Sequence, residues 1–128
     1  MSDRPTRTAF AHSAELELIE GGDVRAPGGA VTMALCGAYD HAPPCPLAAH
    51  YTGVEQVGDV VSARILFACR EDDEARVRQL IGEALRDGVG TDQVGVTTRW
   101  RLHREGRAEV VPAERDHADR LIASLGQD

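Results

Sequence analysis

Residues 59–88, DVVSARILFACREDDEARVRQLIGEALRDG, change hydrophobic period once, and that change constrains the fold more than any other feature of the chain. Val61, Ala63, Ile65, Phe67 and Cys69 recur every second residue, the pattern of a strand with one buried face. Beyond Arg70 the spacing becomes helical. Val77, Leu80, Ile81, Ala84 and Leu85 form one apolar stripe, four acids at 71–74 suit the positive end of a helix dipole, and Gly88 supplies a stop. A strand followed directly by an amphipathic helix calls for a layered α+β architecture.

The remaining segments are read against that anchor. AELELIE (14–20) alternates Leu16 and Leu18 with Glu15 and Glu17 and ends in the turn signal GGD. GAVTMALC (29–36) reads as a second strand with Val31, Met33 and Leu35 on one face. QVGVTTRWRLH (93–103) reads as a strand with Val94, Val96, Thr98, Trp100 and Leu102 inward. Pro112 opens a last helix whose stripe is Ala118, Leu121, Ile122 and Leu125. The expected order is β-β-β-α-β-α. It describes an α+β fold with a mainly antiparallel sheet of about four strands and two helices on one face, a ferredoxin-like or related sandwich. At 128 residues the chain suits a single domain spanning 1–128, with 1–11 expected as a mobile N-terminal segment.

The most distinctive chemistry lies in the loop at 36–50, which carries Cys36, His41, Cys45 and His50 in a C-x4-H-x3-C-x4-H pattern. A window of this length should hold about one Cys or His at the chain's average content, so four is an excess. Two thiolates and two imidazoles match a tetrahedral zinc ligand set. The gaps are wider than the tight knuckles of familiar zinc modules, and the same soft donors also suit Cu+. Pro43, Pro44 and Pro46 stiffen the backbone around Cys45, so ligands or a nucleophile there would be partly preorganised.

Three function classes follow. The first is a small metal-binding protein holding one Zn2+ or Cu+ through Cys36, His41, Cys45 and His50. The second is a small enzyme using an open-site metal, with Asp40 as orienter or base, or a reactive Cys45. Its small anionic substrate would sit near Arg99, Arg101 and His103. The third is a metal-free module that forms a homodimer through its sheet, where Glu15 and Glu17 facing the arginines would make cross-strand ion pairs.

Composition removes other classes. The net charge of −7, with no clustered basic tract, argues against nucleic acid as a partner. Every basic residue is Arg, which excludes a lysine Schiff base or a P-loop lysine. Apolar runs fall far short of the roughly 20 residues a bilayer requires, so no membrane partner is expected. Without a secretory signal at its start, the chain is expected in the cytoplasm with reduced thiols. Cys69, on an Ile/Phe face, reads as a small core hydrophobe.

Overall fold

The computed structural model describes residues 7–36, 48–92 and 94–125. In chain order the elements are β1 (Arg7–Ile19), α1 (Ala26–Cys36), β2 (Ala49–Val57), β3 (Val60–Arg70), α2 (Glu74–Asp87), β4 (Val89–Thr91), β5 (Thr97–Ala108) and α3 (Arg115–Leu125), with single 3-10 turns leading into α2 and α3. The strands form one antiparallel sheet in the order β2-β3-β1-β5-β4, curled into a half-barrel.

The expected four-strand, two-helix ferredoxin-like arrangement with β-β-β-α-β-α order is overturned by this count of five strands and three helices. The segment read as a second strand is α1. Val31 and Leu35 fit both periods, but Pro27, Val31 and Leu35 recur every four residues and all are buried, while Met33 is 41% exposed. A strand would have turned Met33 inward beside them. Pro27 sits in the first turn, where a missing N–H costs no helical bond. The β2 strand has no strand signal in the sequence because only one of its nine residues is buried and it lacks an apolar alternation. The β1 strand begins at Arg7, so it takes in residues 7–11.

Two layers cover the sheet. On one face Leu16, Leu18, Val61, Ile65, Phe67 and Trp100 pack against Val31 and Leu35 of α1 and Val77, Ile81 and Leu85 of α2. On the other, α3 lays Leu121 and Ile122 over Ala49 and Ala68. The helices therefore flank the sheet instead of sharing one face. The strand-to-helix switch at 59–88 is present as expected, and Gly88 ends α2 in the left-handed region at φ 69°. Trp100 secures that end, because its indole N–H donates to the Leu85 carbonyl at 2.9 Å and its backbone N–H to the Gly88 carbonyl at 2.9 Å.

The β1–β5 register shifts between Glu15 and Leu16, which face Arg104 and Leu102, and leaves His103 as the extra residue of a bulge. Val94 and Val96, expected inward on this strand, lie before it and are exposed. The Asp92 carboxylate accepts both of their N–H groups, at 3.0 and 2.9 Å, and holds them in a turn.

Candidate functional site

Of the expected loop, Asp40, His41 and Cys45 lie outside the described residues. Its two ends are placed. Cys36 is the last residue of α1, and His50 is the second residue of β2. Two contacts fix how these elements meet. A Cβ on Gly28 would meet the Thr52 side chain at 3.2 Å, a close approach of helix and strand, and one turn later Thr32 Oγ1 lies 2.9 Å from His50 Nε2. Moving up the helix by four residues thus moves down the strand by two. Extended by one further turn, the same register would set residue 36 near residue 48, and Leu35 and Ala48, which flank the loop, belong to one buried cluster.

Beside that junction lies a cleft of about 320 Å³ lined by Arg25, Gly28, Thr32, His50, Thr52 and Val54. His50 is oriented within it. The Ala48 carbonyl, 3.1 Å from Nδ1, can only accept, so Nδ1 carries a hydrogen and a neutral ring presents its Nε2 lone pair to the Thr32 hydroxyl. An Nδ1–H bond to a backbone carbonyl is the arrangement that fixes the ring of many metal-ligating histidines. Thr52 also lines the cleft, and its hydroxyl is buried with no hydrogen-bond partner among the described residues.

Arg99, Arg101 and His103 are placed elsewhere. They lie on β5, separated from β2 by β3 and β1, which is three strand spacings or about 14 Å. His103 Nε2 lies 3.2 Å from Glu17, and Arg104 bonds Glu15 at 3.2 Å. Arg101 faces Glu17 across the β1–β5 pair. Cross-strand acid–base pairing is thus what occupies this face, and the structure does not bring these residues to His50. Cys69 is 1% exposed in the core, and its burial, followed by Asp73 and Glu74 nearby, pushes the thiol up to about 11. A thiol held protonated in this way is neither a nucleophile nor a ready ligand.

One polar cluster was missed. His12 is buried between β1 and α2, where Arg78 donates to its Nδ1 at 3.0 Å and to the Ala11 carbonyl at 2.7 Å. Because guanidinium only donates, Nδ1 is an acceptor and the ring donates Nε2–H to Glu105. Arg78 also bonds Glu74 at 2.8 Å and stands over the Phe67 ring at 5.1 Å, while Arg107 reaches Glu74 at 3.0 Å. With both ring nitrogens occupied, His12 works as a clamp between helix and sheet. Its signal in the sequence is the alternation Phe10, His12, Ala14, Leu16 and Leu18, which continues the strand backward past Ala14.

Among the described residues, no group of three or more His, Cys, Asp or Glu side chains is arranged to hold a metal ion, and no helix is long and apolar enough to cross a membrane. Comparison with known proteins brought no match: no family model fits the chain, and no curated protein or solved structure matches it.

Proposed function

We propose that the chain is a small metal-binding protein of the cytoplasm that holds one transition-metal ion, zinc foremost and Cu+ as the alternative, through Cys36, His41, Cys45 and His50. The observation that carries this reading is the α1–β2 packing, which brings the two ends of the Cys/His/Pro loop to one place. A fold that holds α1 on β2 in this way would meet part of the loop-closure cost before any ligand binds, and three prolines would further reduce what ordering the loop costs. The orientation of His50, with Nδ1–H on a backbone carbonyl, adds a second support.

An enzymatic variant of the same reading draws on the cleft beside His50. An ion with an open position at the loop base would lie beside a cleft lined by Arg25, whose guanidinium bonds Asp23 at 3.2 Å, so a small anion would have to share or displace that carboxylate.

The test is elemental mass spectrometry on tag-free, desalted protein, with free thiols counted before and after chelation. The expected result is about one ion per chain, lost in the Cys36→Ser/Cys45→Ser variant, with two thiols unmasked on chelation. Absence of metal after reconstitution with Zn2+ or Cu+, together with freely reactive Cys36 and Cys45, would overturn it.

A further inference from the structure

We infer that the protein forms a two-fold homodimer by pairing the outer edge of β2 with the same edge of a second copy, with Gly53 on the dyad. The two edges of the sheet differ sharply. The β4 edge has three residues and packs against α1, whereas β2 presents nine residues and, among the described residues, pairs only with β3. Monomeric proteins blunt a long edge with basic residues, proline, a bulge, brevity or a covering helix or loop, and no described strand covers the outer side of β2. The β2 strand has no Arg, no Pro and no break in its register with β3, and Glu55 is its one formal charge.

The hairpin fixes which backbone groups face outward. Val57 and Val60 close the two-residue turn Gly58–Asp59, and such a closing pair exchanges both backbone bonds, an exchange that recurs every second residue. Ala49, Tyr51, Gly53, Glu55 and Val57 therefore turn their amides to β3, and Thr52, Val54 and Gln56 turn theirs to the edge. An antiparallel second copy centred on Gly53 sets Thr52 against Val54 of its partner, twice by symmetry. The two glycines meet at a close, non-bonded position where no Cβ intervenes.

This register rests on the central Thr52–Val54 pairs and matches the side chains. Val57, 81% exposed, falls opposite Ala49 of the second copy, which belongs to the apolar cluster with Ala68, Leu121 and Ile122 under α3. Tyr51, 46% exposed, falls opposite Glu55. Centring the dyad on Glu55 instead would bring two carboxylates face to face. Strand pairing over one edge buries less than a standard interface, so the expected dissociation constant lies in the micromolar range, of order 10 µM.

Sedimentation velocity in reductant between about 1 and 100 µM tests the inference, with no cysteine bridge able to contribute. The expected result is a monomer–dimer transition in that range, with the Thr52 and Val54 amides gaining protection from hydrogen exchange as the dimer forms. Val54→Pro removes an outward amide without touching the β3 pairing and should give a monomer with unchanged far-UV circular dichroism. Val57→Asp alters a side chain already in solvent, so it tests the contact even if the proline variant fails to fold, and should weaken association by about tenfold or more. A wild-type monomer throughout the range would overturn the proposal and leave the edge to a foreign strand. A dimer that Val57→Asp leaves unchanged would overturn it as well.

Discussion

Gly88 and Cys69 are held in place by opposite demands, one on the backbone and one on the side chain. A Cβ at residue 88 would meet the Trp100 carbonyl oxygen at 2.5 Å, and the left-handed φ adds its own penalty for any L side chain. Gly88→Ala should therefore destabilise the protein by about 1–3 kcal/mol in urea unfolding. Cys69 faces the core with its thiol pushed up to about 11 by burial and by Asp73 and Glu74. It should resist iodoacetamide in the native protein at pH 8 and react fully once urea unfolds the chain, and peptide mapping would identify it. Trapping of Cys69 in native protein at the rate of a free thiol would contradict its burial.

At the level of elements, α3 is fastened at its start more firmly than along its length. Arg64 of β3 forms a two-pronged bond with Glu114, at 2.7 and 2.8 Å, and gives a third hydrogen bond to the Glu109 carbonyl at 2.7 Å. The Arg64 guanidinium holds the Glu114 carboxyl below its ordinary range, helped by the Val111 amide. A depressed carboxyl stabilises the fold above the unfolded-state value, and that contribution is lost as pH falls through the lowered folded-state value. Glu114→Gln should thus cost about 1 kcal/mol at pH 7, progressively less below about pH 4, and should speed hydrogen exchange in α3 while leaving α2 unaffected. Equal acceleration in α2 and α3 would show global loosening instead. The α2 helix and the β3 strand were legible in the sequence because each buries one uninterrupted face, so period alone identifies them. The α1 helix was not, because Val31 and Leu35 satisfy both periods and only the exposure of Met33 separates the two. Edge strand β2 and three-residue β4 carry too little burial to leave a pattern.

For the whole molecule, the curled sheet decides which residues meet. The excess of Cys and His at 36–50 was legible as composition, but its anchoring was not, because the Gly28–Thr52 and Thr32–His50 contacts exist only once α1 lies on β2. The cleft with Arg25 and Thr52 was invisible for the same reason. The pairing of His12 is not legible either, because the polar Ser13 and the small Ala11 and Ala14 blur where the alternation of β1 begins. Arg101 shares a face with Glu17, as strand alternation implies without knowledge of strand order, but the bulge at His103 interrupts that alternation and brings Arg104 to Glu15. The distance of these residues from the loop depends on strand order.

The Thr32 hydroxyl stands within reach of two acceptors, the His50 ring and, at 3.1 Å, the Gly28 carbonyl one turn earlier. If an ion takes the imidazole lone pair, the hydroxyl hydrogen turns to the carbonyl and no donor is stranded. On the proposed metal-binding reading, the threonine would serve as a reversible placeholder, keeping the histidine aligned while leaving it cheap to release.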